Sequence, residues 1–338
     1  MLEKTLHISS SPHLKKGIST DQIMLQVVYA LLPTAAFSVY VFGLNALMIL
    51  LTAVTSCVAT EHLLTRWSGR QTTIGDYSAL ITGLLLGLIL PPVFPLWMTF
   101  CGGMIAIGMG KFLFGGLGHN VFNPALVGRA VLQAAFPIAI TTWYPALADQ
   151  RFRVISSSVL AIPFMEPDFD TWSGATPLSA WKFGQAMTLP DELLFGFVSG
   201  SAGETSALII LLGGLYLIFR RIMGWVIPTV ILGTVFALSS IFYLIDNQVF
   251  PSPAFMVLSG GLMLGAFFMA TDMVASPITT LGRIVYGILI GSLVVVIRIW
   301  GGLPEGVMYA ILLGNAVSPQ IDRVIQPRVF GSKTPKKT

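Results

Sequence analysis

The chain has 338 residues, of which 54% are hydrophobic and only 10% charged, with a mean hydropathy of +0.81 and a formal net charge of +4. A soluble domain carries about 25% charged residues, so a water-solvated globule is excluded and a transmembrane bundle is the natural unit. The positive balance does not point to nucleic acid, because the basic residues stand at the ends of apolar runs, where they act as topology signals.

The first 22 residues are polar, and the apolar run that follows has no small-residue cleavage site behind it. It is expected to be the first spanning helix rather than a signal peptide. At about 20 apolar residues per crossing, ten spans are expected, at roughly 23–42, 44–64, 78–90, 95–114, 123–141, 205–221, 225–245, 254–270, 284–300 and 304–319. The third is short because Pro91 and Pro92 stop it. With the N-terminus in the cytoplasm, Lys4, Lys15, Lys16, Arg66, Arg70, Lys111, Arg220, Arg221, Arg283 and the tail Arg323, Arg328, Lys333, Lys336 and Lys337 all fall inside. The outer loops hold only Arg151, Arg153 and Lys182. Cytoplasmic enrichment of Lys and Arg sets orientation.

The chain thus divides into a cytoplasmic N-terminal segment (1–22), a first transmembrane repeat (23–141), a periplasmic loop (142–204), a second transmembrane repeat (205–321) and a cytoplasmic basic tail (322–338). The loop is acidic, with Asp149, Glu166, Asp168, Asp170, Asp191, Glu192 and Glu204, and its Phe152, Phe164, Phe169, Trp172, Trp181 and Phe183 suit packing on the bundle or on a partner. A loop of this length usually carries a function or is disordered.

The two halves resemble each other. Thr82-Gly83-Leu84-Leu85-Leu86-Gly87 matches Gly260-Gly261-Leu262-Met263-Leu264-Gly265, and Gly115-Gly116-Leu117 matches Gly301-Gly302-Leu303. In the same register Val121, Leu126, Gly128, Ala130 and Val131 match Val307, Leu312, Gly314, Ala316 and Val317. Two five-span repeats must have opposite orientation, so an inverted repeat is expected, with Pro-interrupted segments at 78–95 and 253–277 pointing to its centre. The Gly-xxx-Gly spacings at Gly83/Gly87, Gly261/Gly265 and Gly287/Gly291 are read as helix-packing contacts.

Arg129 and Arg298 fall within spans, where charge is costly, and are candidates for ion movement, cofactor contact or subunit pairing. Glu61, Asp76, Lys111 and Asp272 lie near span ends and are read as structural or topological. Asn123-Pro124 and Asn315 are read as helix caps or breaks. Cys57 and Cys101 lie in apolar segments and His7, His13, His62 and His119 are scattered, so no metal site is expected. Residues 103–111 look superficially like a phosphate loop but lack its Gly-Lys-Ser/Thr order. No dinucleotide fingerprint is present, so NAD is not expected to bind here.

The segment with chemical content is Asp170-Thr171-Trp172-Ser173-Gly174-Ala175-Thr176-Pro177-Leu178. Its small residues let another enzyme close over the backbone, and Pro177 biases Thr176 toward an extended conformation, so an accessible hydroxyl is expected. Taken alone, the stretch also reads as an ordinary Ser-Gly turn before a short amphipathic run. It resembles the flavin-transferase acceptor motif, Asp-x-x-(Ser/Thr)-Gly-Ala-Thr, a pattern expected by chance in about one chain of this length in a thousand. The resemblance implies that FMN is joined through a phosphoester to Thr176, with Asp170, Ser173, Gly174 and Ala175 recognised by the transferase.

With that motif in place, the resemblance extends over nearly the whole chain. Ser11-Pro12-His13, the run from Gly115 through His119, Asn120 and Asn123 to Ala125, and Gly314-Asn315-Ala316-Val317-Ser318-Pro319-Gln320-Ile321-Asp322 are similar to D subunits of Rnf (Rsx) ion-translocating electron-transport complexes. The related B subunit of sodium-pumping NADH:quinone reductases shares the motif but has a longer N-terminal extension. The resemblance implies an all-α inner-membrane subunit that relays electrons between ferredoxin and NAD, coupled to Na+ or H+ movement and not catalytic alone. It implies the A, B, C, E and G subunits of Rnf, a periplasmic FMN transferase and membrane lipid as partners. It also allows an unlinked riboflavin, for which no motif marks a site. A rival expectation is a secondary transporter or channel with inverted repeats and no redox cofactor; the acceptor motif separates the two.

Overall fold

Apolar runs without water must satisfy their backbone internally, which leaves helices as the building material. The computed structural model describes residues 19–70, 72–163, 174–184, 188–204 and 206–327, and among these the only strand-like pairing is one bridge, Trp143 to Gly174. The leading Ser11-Pro12-His13, the motif residues Asp170 and Ser173, and the basic tail from 328 onward lie outside the described residues.

Each of the ten predicted segments is occupied by helix. The first half contains α1 (Thr20–Phe42), α2 (Leu44–Trp67), α3 (Ser78–Ile89), α4 (Leu96–Ile107, continued by a π-helical turn over Gly108–Phe112), α5 (Pro124–Ala135) and α6 (Pro137–Ile140). Two short helices, α7 (Pro177–Gly184) and α8 (Pro190–Phe195), belong to the long loop. The second half contains α9 (Ala207–Phe219), α10 (Val226–Ile245), α11 (Pro253–Leu258), α12 (Leu262–Leu264, leading into a π-helical turn over Gly265–Met269), α13 (Thr280–Trp300) and α14 (Val307–Val324). By length and composition α1, α2, α10 and α13 are able to cross a membrane, while α3, the stretch Leu96–Phe112 and α9 are apolar but shorter.

Two predicted spans are not continuous. The fifth breaks at Phe136 (φ −131°, ψ 62°), because Pro137 has no N–H to continue the ladder. The eighth breaks after Leu258, where Ser259 is extended (φ −82°, ψ 145°) and Gly260 has φ +63°. Only glycine takes that left-handed value without strain.

The halves pack alike. In the first, α4 lies between α2 and α5; in the second, α13 lies between α10 and α14. Of the glycines matched between the halves, Gly128 and Gly314 take the same role. Gly128 lets α5 close on Gly102 and Ala106 of α4, and Gly314 lets α14 close on Ile290 and Tyr286 of α13. Gly83/Gly87 seat α3 on α2, and Gly287/Gly291 seat α13 on α10, the packing role expected of them. Gly261/Gly265 differ: they face Glu204 and the first turns of α14.

The described part of the long loop is folded onto one end of the bundle. Leu44 N–H donates to the Arg151 carbonyl (2.9 Å), Leu96 N–H to that of Val159 (3.0 Å) and Ala202 N–H to that of Leu90 (3.1 Å). A side chain at Gly43 (φ +70°) would collide with the Arg151 carbonyl, so glycine there admits the loop between α1 and α2. Asn45, fully buried at the head of α2, accepts from Ser156 N–H (3.1 Å) and donates to its hydroxyl (3.2 Å).

Candidate functional site

Three places concentrate polar chemistry. The first is the loop end, where Thr176 caps α7. Its Oγ1 accepts the Ser179 N–H (3.2 Å) and donates to Ser179 Oγ (3.1 Å), while Ser179 Oγ donates to the Thr176 carbonyl (3.0 Å). This is the N-cap arrangement Ser and Thr favour, satisfying a helix donor that has no intrahelical partner. The expected exposed hydroxyl is not what the fold presents: Thr176 is 3% exposed, because capping turns its oxygen into the helix and Leu178 carries the following turn into the bundle. Gly174 is bound to Trp143 by the bridge (N–H to carbonyl, 2.8 Å), and Ala175 is exposed.

α7 is docked firmly. Leu178 packs with Leu193 and Phe255, bordered by Trp181, Val198 and Leu258. Lys182 donates to the Arg298 carbonyl (2.9 Å) and to that of Gly301, at the C-terminal end of α13. A cation is favoured there by the helix's partial negative charge, although desolvation lowers the Lys182 pKa below the ordinary lysine value.

Beneath that helix lies the second place, a buried charge cluster. Arg129 of α5 pairs with Glu204 (3.4 Å), at the end of the long loop, and with Glu305 (2.8 Å) from the second half of the fold. Arg298, 0% exposed, has no carboxylate in contact among the described residues; it donates to the carbonyls of Met256 (2.5 Å) and Ser259 (2.9 Å). Those carbonyls lost their intrahelical donors where the eighth span breaks, so Arg298 supplies the end of α11. Both candidate arginines are therefore engaged within this chain. Arg298's neighbourhood borders the Thr176 corner: a Cβ at Gly260 would meet both Leu178 Cδ1 (2.8 Å) and the Arg298 guanidinium (3.3 Å).

The third place is the opposite end. Lys111, Glu61 and Asp76, read from sequence as separate span-end charges, form one buried cluster. Lys111 Nζ lies 2.7 Å from Glu61, 3.9 Å from Asp76 and 2.5 Å from Ser78 Oγ, and Glu61 also accepts from Thr73. Beside it is a cavity of about 140 Å³ walled by apolar groups such as Ile81, Leu85, Phe267 and Phe268, with Ser78, Lys111, Asn120, Asn123 and Asp272 as its polar lining. Asn123 caps α5 as expected, accepting from Ala125 and Leu126 N–H, and Asn120 donates to Asp272 (3.4 Å) across the two halves. Asn315, expected as a cap or break, instead accepts the Tyr286 hydroxyl (2.7 Å) from inside α14. Sequence reasoning missed this cavity because its lining comes from both halves. Among the described residues no group of His, Cys, Asp and Glu is arranged to hold a metal ion.

Comparison with known proteins covers nearly the whole chain. The profile of the NQR2, RnfD, RnfE family matches residues 7–331. The chain is 42% identical to the D subunit of the proton-translocating ferredoxin:NAD(+) oxidoreductase complex of Clostridium ljungdahlii, over 96% of each chain. It is 42% identical to the D subunit of the Na(+)-translocating ferredoxin:NAD(+) oxidoreductase complex of Acetobacterium woodii, over 100% of this chain and 99% of the relative. It is 44% identical to the D subunit of the ion-translocating oxidoreductase complex of Stutzerimonas stutzeri, over 93% and 92% of the two chains.

Proposed function

Since the chain belongs to the NQR2, RnfD, RnfE family, we propose that it is the membrane-embedded D subunit of an ion-translocating ferredoxin:NAD+ oxidoreductase complex, active only within that assembly. Relatives of equal similarity are named for proton and for sodium translocation, so the coupling ion is decided by something finer than overall resemblance. In this reading the chain crosses the inner membrane ten times as two inverted five-span halves, with both termini cytoplasmic and residues 142–204 in the periplasm. The repeated packing of α4 and α13 supports the two halves. The A, B, C, E and G subunits are its partners.

The redox role rests on one observation: an acceptor-type sequence ending in Thr176 at the head of a helix. FMN esterified there would supply a tethered one- or two-electron carrier that cannot be lost from an open surface. The local chemistry fits a phosphoester. The N-terminus of α7 favours negative charge, and the Ser179 N–H and hydroxyl stand 3.2 and 3.1 Å from the oxygen that would carry it. Lys182 and Leu178 fix that helix against α13 and α11, which sets where a group on Thr176 would stand. An unlinked riboflavin is the second cofactor of this reading, without an assigned site. The periplasmic transferase and lipid complete the partners; the rival transporter gains no support from the relatives' names.

The test is the mass of the loop peptide containing Thr176, together with ultraviolet fluorescence of the denatured chain on a gel. An added FMN mass and a band lost in Thr176→Ala are expected. A bare peptide from transferase-competent cells refutes the assignment.

A further inference from the structure

Thr176 is the hydroxyl a modifying enzyme must reach, yet the fold puts it out of reach. It is 3% exposed, its oxygen already accepts the Ser179 N–H, and its proton is directed at Ser179 Oγ. α7 is held at both of its turns. Leu178, 1% exposed, is packed against Leu193 and Phe255, and Lys182 grips the last carbonyls of α13. Nucleophilic attack on phosphorus needs an open line to the oxygen and a base touching its proton. The docked helix denies the first by burial, and the cap on Ser179 occupies the second.

We propose that the transferase acts on an undocked form of α7, and that the latch made by Lys182 and Leu178 sets how rarely that form occurs. Flavin loading is thereby gated by this chain's own fold. The proposal rests on Thr176 being the acceptor. In the transfer, Thr176 Oγ bonds to the FMN-side phosphorus of a flavin adenine dinucleotide. The pyrophosphate P–O bond breaks, AMP leaves with the electron pair, and the hydroxyl proton passes to a base of the transferase. Nothing is oxidised or reduced.

The test uses the full-length chain from cells lacking the transferase, purified in detergent, then given transferase and flavin adenine dinucleotide. Because only the undocked fraction reacts, Lys182→Ala is expected to raise the initial rate of FMN addition about tenfold, equivalent to ~1.4 kcal/mol. Lys182→Arg, which keeps a cation at the end of α13, is expected to stay near the wild-type rate. Equal rates in wild type and Lys182→Ala overturn the gate. A second measurement needs no transferase. Thr176→Cys is expected to react with a membrane-impermeant thiol reagent at least tenfold more slowly than Phe183→Cys, which stands on the exposed side of the same helix. That gap should collapse when Lys182→Ala is added. Equal labelling of the two cysteines with Lys182 in place overturns the gate even if the alanine variant folds poorly. If no variant, wild type included, ever gains FMN mass on the Thr176 peptide, the acceptor assignment fails and takes the proposal with it.

Discussion

Replacing Lys111 by Met removes the cation from a buried cluster. Nζ stands 2.7 Å from Glu61 and 2.5 Å from Ser78 Oγ, and the two charged side chains are only 6% and 3% exposed. At an effective dielectric near 20, a charge pair at that distance gains about 6 kcal/mol before desolvation is subtracted. Removing one partner of such a pair strands the other and costs ~3–5 kcal/mol. The upper half of that range is expected, because among the described residues Glu61 Oε2 has no partner and only Thr73 would remain on Oε1. Glu61→Gln alone should also destabilise, by leaving Lys111 with the more distant Asp76 at 3.9 Å. The double variant Lys111→Met/Glu61→Gln strands neither charge, so it should cost less than the sum of the singles by ~1–3 kcal/mol. The measurement is unfolding of the purified chain in mixed SDS and detergent micelles, for all four members of the cycle. A Lys111→Met variant as stable as wild type, or strictly additive singles, would show that the pair is not the buried, coupled unit described.

Arg298→Met keeps the volume of the side chain but leaves the Met256 and Ser259 carbonyls without donors at the break between α11 and α12. A loss of ~2–4 kcal/mol is expected in the same micelle titration; no loss would mean that another group supplies those carbonyls. Gly83→Ala places a Cβ 2.6 Å from Val54 Cα on α2 and should destabilise by ~1–3 kcal/mol through overpacking, whereas Gly233→Ala in α10, which meets nothing within 4 Å, should be neutral or slightly stabilising. Acid extraction of the wild-type chain should release unlinked riboflavin; an extract without it would remove that cofactor from the reading.

The amino-acid sequence was enough for whatever depends on neighbours along the chain. Hydropathy over about 20 residues placed helix in all ten segments, since each helix closes its own hydrogen bonds. Prolines marked the short third segment and the neighbourhood of the interrupted eighth, and the acceptor motif is itself a local string. What distance in sequence hid, only the tertiary structure decided. Lys111, Glu61 and Asp76 were legible as three separate span-end charges, but their union comes from packing α4 against α2. Arg129 was legible as a costly charge, whereas its partners Glu204 and Glu305 lie 75 and 176 residues away. Arg298 became intelligible once the broken eighth span brought two bare carbonyls beside it. The expectation of an exposed Thr176 failed for a related reason. Proline and small neighbours bias a backbone, but the burial of a hydroxyl is set by the helix it caps and by what that helix is pressed against.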